Sequence, residues 1–268
     1  MKSILLYANE DIGTESRLDA ALCLASLSGG RINCLQITPY EAFIMADPFG
    51  GIYALPTVVE HIGMVEDAHR ARVEAQLRSH RAQWEWVNLE GHPGQALFEH
   101  SRLADIIVVS LPHKDGKKHA LSLAADLAIH ARAPVLAIPE TGKSLSCEGE
   151  AMIAWNGSHE SAHALRFAVP LLVRASAVRI VTINGGEIST PATQAIDYLR
   201  QYGIEAAAQD CERGKSSIAD TLLEMADEMG AHYIVAGAFG HSRLREAVIG
   251  GTTRDLIANS NIPLFLTH

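Results

Sequence analysis

Apolar positions recur along the chain in two alternating patterns. Short continuous runs such as DIIVVS (Asp105–Ser110) and AMIAWN (Ala151–Asn156) read as strands buried on both faces. Between such runs lie stretches with apolar residues at helical spacing. Leu18, Ala21, Leu22 and Ala25 mark one over Thr14–Ser28, stopped by Gly29-Gly30. In order, strands are predicted at Ser3–Ala8, Arg31–Thr38, Trp84–Leu89, Asp105–Ser110 and Pro134–Ile138. The helices between them are predicted at Thr14–Ser28, from Pro56 or Thr57 to about Gln83, at Pro93–Leu103 and at Lys118–Ala131. Strands rich in Ile and Val that alternate with helices imply a parallel sheet covered on both faces.

The second half repeats that order, from a first strand at Ala151–Asn156 and a first helix at Ser158–Val173 to a last strand at Ile262–Thr267. ADIIVVS superposes on AHYIVAG at an offset of 127 (Ser110 to Gly237), and RAPVLAIP on SNIPLFLT at 129 (Pro134 to Pro263). The first strands are offset by 148 (Leu6 to Ala154), so about 20 extra residues sit in the first half, most simply in Pro39–Pro56. The chain is thus a tandem duplication of two α/β units, residues 1–140 and 150–268, joined by the polar stretch Glu140–Glu150. Each half ends in an apolar strand that would lie at a sheet edge if the half stood alone. Pairing the two across a pseudo-twofold axis would cover both edges.

The most chemical stretch is Ile234–Leu256, IVAGAFGHSRLREAVIGGTTRDL. A β-branched run ends at Gly237, the chain turns through Gly240, and a helix is expected from Gly250, Gly251, Thr252 and Thr253. Glycine at a strand end lets a ligand approach the backbone with no Cβ in the way. A helix N-terminus offers unpaired N–H groups to an anion. His241, Arg243, Arg245 and Arg254 add donors, against Glu246 and Asp255. The stretch reads as a phosphate-holding loop, with tight helix–sheet packing as the plainer use of its glycines.

The Gly237-x2-Gly240-x9-Gly250 spacing, the half-length α/β unit and the duplicated layout resemble the universal stress protein family in its tandem form. The resemblance spans nearly the whole chain. It implies two Rossmann-like units of the adenine nucleotide alpha hydrolase-like type, each a five-stranded parallel sheet flanked by helices. It also implies a stress-response binding module without dedicated catalysis. The implied ligand is ATP or another adenine nucleotide, with or without Mg2+, held by Asn156, Ile183, Gly237, Gly240, His241, Arg243, Gly250, Gly251, Thr252 and Thr253. Two positions depart from the family pattern: Gly251 stands where nucleotide-binding members have Ser or Thr, and Asn156 where they have Asp. An Asn side chain can still donate to and accept from an adenine edge. In the first half Ser110-Leu-Pro-His113 stands at the Gly237–Gly240 turn, and Leu121 at Gly250, so that site reads as degenerate. A non-nucleotide-binding interaction protein is the alternative.

Composition narrows the remaining choices. The chain of 268 residues carries a formal charge of -9, split -5 and -4 between residues 1–140 and 141–268, so neither half offers the basic face nucleic acid needs. No signal peptide or membrane-spanning run is read, and Cys23, Cys34, Cys147 and Cys211 show no CxxC pair, which suits free thiols in a cytoplasmic protein. His159-Glu160-Ser161-Ala162-His163 matches the zinc-protease pattern H-E-x-x-H. It stands at the first turn of a helix with Ser158 as its N-cap, however, so a metal-dependent hydrolase is the lesser alternative. Gly214-Lys215-Ser216 resembles the end of a phosphate loop, but Gln209 occupies the place of its first glycine. No G-x-S-x-G elbow is present. The apolar insertion Pro39–Pro56 is expected to serve as a lid, as a surface for a second copy of the chain, or as a packed connection.

Overall fold

The computed structural model describes residues 1–39, 45–46, 52–53, 56–112, 122–184, 190–212, 214, 216–240 and 251–268. Most of the insertion, the segment His113–His119 and the loop residues His241, Arg243 and Gly250 lie outside the described residues. The first half contains β1 (Ser3–Tyr7), α1 (Thr14–Ser28), β2 (Arg31–Thr38), β3 (Met45–Ala46), β4 (Ile52–Tyr53) and α2 (Pro56–Ser79). It continues with β5 (Gln83–Glu90), α3 (Pro93–His100), a 3-10 turn at Ser101–Leu103, β6 (Ile106–Ser110), α4 (Leu123–His130) and β7 (Val135–Ile138). The second half has β8 (Ala151–Ala154), α5 (His159–Leu172), β9 (Val178–Asn184), α6 (Ala192–Arg200) and β10 (Ala206–Glu212). It ends with α7 (Ile218–Glu228), β11 (Tyr233–Gly237), α8 (Gly251–Asn259) and β12 (Leu264–Thr267).

Local chemistry sets the ends of these elements. Gly29 closes α1 in the left-handed region at φ 58°, its N–H bonded to the Ala25 carbonyl. Ser122, Ser158 and Ser217 cap α4, α5 and α7, each side chain accepting a backbone N–H three residues on.

Ten strands form one sheet in the order β10-β9-β8-β11-β12-β7-β6-β1-β2-β5, and β3 and β4 form a separate antiparallel ribbon. Within each half of the ten-stranded sheet all pairings are parallel, in the same order. The halves meet where β12 runs antiparallel to β7, Phe265 opposite Leu136. The expected edge pairing is therefore present, and neither terminal strand is left open.

Alternate strand residues enter opposite layers. Ile4, Leu6, Ile106, Val108, Tyr233 and Val235 pack under α1, α2, α5 and α6. Leu5, Ile107, Val109, Ile234 and Ala236 pack under α3, α4, α7 and α8. Each layer runs through both halves, as a twofold axis perpendicular to the sheet requires. Burial pushes the Tyr233 phenol well above its ordinary pKa, and the Cys34 thiol up to about 12.

Two expectations need correction. The first strands are offset by 147, not 148. Ala8 N donates to Leu35 O and Trp155 N to Val181 O, both at 2.8 Å, so Ala8 matches Trp155. The pattern alone could not fix this, because both strands are apolar throughout and a one-residue slip changes no class of residue. The extra length in the first half also extends beyond the insertion into α2, which has 24 residues against 9 in α6.

The second correction concerns the thiols. Cys23 and Cys147 form a disulfide, with Cα atoms 6.3 Å apart, while Cys34 and Cys211 are free. The connecting stretch folds back onto the protein, Lys143 N donating to Asn261 O at 2.9 Å, and buries Cys147 beside α1. A pair separated by 124 residues leaves no local spacing to read.

Candidate functional site

In the second half the crossovers after β8 and β11 lead to opposite sides, so the strand order switches between these two strands. Open parallel sheets bind ligands at the carboxyl ends of such strands. A cleft of about 210 Å³ opens there. Its walls come from the end of β8 (Ala154, Trp155, Asn156), the first turn of α5, Val181 and Ile183 of β9, the Gly237–Gly240 turn, and Thr252 and Thr253 of α8. Of the residues predicted from sequence, Asn156, Ile183, Gly237, Gly240, Thr252 and Thr253 are brought together. Gly251 is the exposed first residue of α8 and is not among the described lining residues.

The described site residues differ in what they do. Gly237 is a packing position. A Cβ there would lie 2.6 Å from both the Glu160 carbonyl carbon and the Ser161 nitrogen, so α5 could not sit this close to β11. Phe239 follows with φ 55°, a left-handed conformation uncommon outside glycine, and buries its ring in the layer under α7 and α8. The Thr253 hydroxyl accepts the Phe239 N–H at 3.2 Å, which ties the turn to the start of α8. Asn156 is exposed and its Oδ1 accepts from Ser158 N at 3.1 Å. Trp155 is buried and anchored by its indole N–H to Thr190 O at 2.9 Å.

Glu160 is the site residue that sequence reasoning assigned elsewhere. A Cβ on Gly240 would lie 2.5 Å from Glu160 Oε2 and 2.8 Å from its Cδ, so the carboxylate packs directly against the glycine turn. It is the one charged side chain lining the cleft among the described residues. His159 and His163 take another direction: their ring centroids lie 4.1 Å apart with the planes tilted by 46°, and His163 Nδ1 lies 3.3 Å from His268 O. Among the described residues no group of three His, Cys, Asp or Glu side chains could hold a metal ion.

The equivalent rim of the first half is filled from within. Arg17, 1% exposed, donates from Nε to Tyr7 O and from Nη2 to Asn9 O, both at 2.8 Å. Its Nη1 reaches both Asp11 carboxylate oxygens, at 2.8 and 3.0 Å, and the Ser110 hydroxyl. Asn9, the counterpart of Asn156, pairs with the Ile37 backbone, Oδ1 accepting at 2.7 Å and Nδ2 donating at 2.6 Å. Burial raises the pKa of the Tyr7 phenol although Arg17 beside it pulls the other way.

Residues 150–268 match the model of the universal stress protein family. No curated protein sequence matches the chain. Among solved structures, a universal stress protein from Archaeoglobus fulgidus DSM 4304 superposes with a TM-score of 0.75 at 15% identity, covering 99% of this chain and 96% of that one. A protein from Pseudomonas aeruginosa UCBPP-PA14, proposed to be a universal stress protein, gives 0.60 at 16% identity over 100% and 93%. A protein of unknown function from Pseudomonas aeruginosa PAO1 gives 0.60 at 15% over 100% and 92%. Residues 150–268 thus carry a domain of the universal stress protein family, and the full length of the chain shares the fold of a universal stress protein.

Proposed function

We propose that the chain is an adenine-nucleotide-binding module whose single working site is the second-half cleft. The observation that carries this reading is the position of the cleft at the switch point between β8 and β11, roofed by the glycine turn that the family resemblance singles out. In this reading the base lies between Asn156 and the Ile183 backbone, and the phosphates face Gly240 and the start of α8. Residues 1–140 act as a structural partner whose own rim is closed by Arg17 and Asn9. In this reading the module binds without dedicated turnover. ATP is the full-length candidate ligand, and His241, Arg243 and Gly250 are proposed to complete its phosphate contacts.

Calorimetric titration with AMP and with ATP tests this. One site per chain is expected, abolished by Gly240→Val, whose side chain would enter the turn against the Glu160 carboxylate. Two equal sites, or binding indifferent to that change, would overturn the asymmetric reading. The alternative of a nucleotide-free interaction protein draws on one observation: Gly237 is already required for helix packing, whatever the cleft holds.

A further inference from the structure

The connecting stretch belongs, by its bonds, to the second half. Every described hydrogen bond and ion pair that leaves residues 142–150 ends there. Lys143 N donates to Asn261 O, its Nζ pairs with Asp227, and Glu148 O accepts from Ser176 N. Against these, Cys147 is bonded to Cys23 of α1, in the first half. The disulfide is thus a covalent tie across the two halves.

Its two sulfurs are not equally reachable. Cys147 is 2% exposed, whereas Cys23 is partly buried and lines a cavity of about 430 Å³. Cys147 does not line it. The cavity lies between α1, the turn after α2 and the start of β5, with Asp19, Ser26, His80, Arg81 and Gln83 as its polar wall. That volume suits a small molecule of peptide size and not a folded protein. No third thiol of the chain competes. Cys34 is buried, its pKa pushed up to about 12, and Cys211 lies on β10, at the opposite edge of the sheet from β5.

We propose that this disulfide is an exchange site for a low-molecular-weight thiol, entered at Cys23 through the cavity. The small thiolate attacks the Cys23 sulfur, a new S–S bond forms between them, and the Cys23–Cys147 bond breaks. Its electron pair leaves on Cys147, which takes a proton from water. A second small thiolate then attacks the sulfur of the first, and Cys23 leaves and is protonated in turn. Two small thiols are oxidised to their disulfide and the protein disulfide is reduced to two thiols. The small disulfide drives the reverse course. Which sulfur is attacked follows access, and only Cys23 faces the cavity. Exchange removes the covalent tie between α1 and a stretch otherwise bonded to the second half, while the β7–β12 pairing is untouched.

The test is incubation of the full oxidised chain with millimolar glutathione, followed by acid quenching, alkylation and peptide mass mapping. The glutathione adduct is expected on Cys23 in at least tenfold excess over Cys147, with Cys34 unmodified. Oxidised glutathione should modify Cys23 in Cys147→Ser at least tenfold faster than it modifies Cys147 in Cys23→Ser. An adduct mainly on Cys147, or a disulfide that persists unchanged in millimolar glutathione, would overturn the proposal. Reduction by a protein dithiol such as thioredoxin but not by glutathione would overturn the assignment to a small thiol. Four alkylatable thiols in protein purified without reductant would remove the site altogether. The mapping on the wild type decides the matter even where a substitution impairs folding.

Discussion

Arg17 and Ala164 stand at the same turn of matching helices, each three residues beyond Thr14 or Ser161 and each almost wholly buried. In one half a guanidinium fills the rim and takes up carbonyl, carboxylate and hydroxyl oxygens. In the other Ala164 is a core methyl group, and Ala154, Asn156, Ser158 and Gly237, the counterparts of the residues Arg17 binds, line the cleft. The same division appears one turn earlier, where Gly13 faces Ser110 and Glu160 faces Gly237. The two halves keep one backbone and one close helix–strand approach. They differ in which partner gave up its side chain. A site in this fold can therefore be closed with no change of architecture, by one long polar side chain whose hydrogen bonds are all met inside the protein.

The largest effect that would sharpen this comparison is the loss of Arg17. Arg17 is buried while its ion-pair partner Asp11 is exposed. The main cost of Arg17→Ala is therefore the Tyr7 and Asn9 carbonyl oxygens left without their donor, about 1–3 kcal/mol each in urea denaturation. An unchanged midpoint would mean that the rim of the first half is not held by this cation. Next comes the covalent link. Cys23→Ser should cost about 2–4 kcal/mol without reductant and nothing relative to wild type in excess dithiothreitol. Equal stability in both conditions would show that the link adds nothing to the join between the halves.

The smallest effect separates the two glycine contacts. Gly237→Ala meets the backbone of α5 and should cost about 1–3 kcal/mol, with no relief from trimming Glu160 to Gly. Gly13→Ala meets the Ser110 hydroxyl instead, so Ser110→Gly should recover part of its loss in a double-mutant cycle. Recovery in both halves, or in neither, would break the distinction between a backbone and a side-chain contact.

Much of the architecture was legible from sequence because continuous Ile/Val runs and amphipathic stretches each satisfy one geometry. The bounds of α1 and β2 follow the pattern residue for residue, since Gly29-Gly30 and the onset of β-branched residues punctuate them. The cleft was legible through Gly237, Gly240 and Thr253, residues whose types are constrained by close approach and by turn geometry. What stayed hidden depends on contacts far apart in sequence. Arg17 reads as one more polar residue of an amphipathic helix until Ser110 and the strand ends surround it. Glu160 carries no mark of facing Gly240, and its neighbours His159 and His163 drew it into a zinc pattern instead. Cys23 and Cys147 meet only because the connecting stretch folds back on α1.

The antiparallel join of β7 to β12 has a consequence for how the molecule can meet others. Because the two halves run in opposite directions there, the carboxyl ends of their strands emerge at opposite margins of the ten-stranded sheet. The open cleft looks out from one margin and the Arg17-sealed rim from the other. Ligand and any macromolecule docking at the sealed margin would not compete for the same space. The duplicated chain is in this sense a molecule with a front and a back.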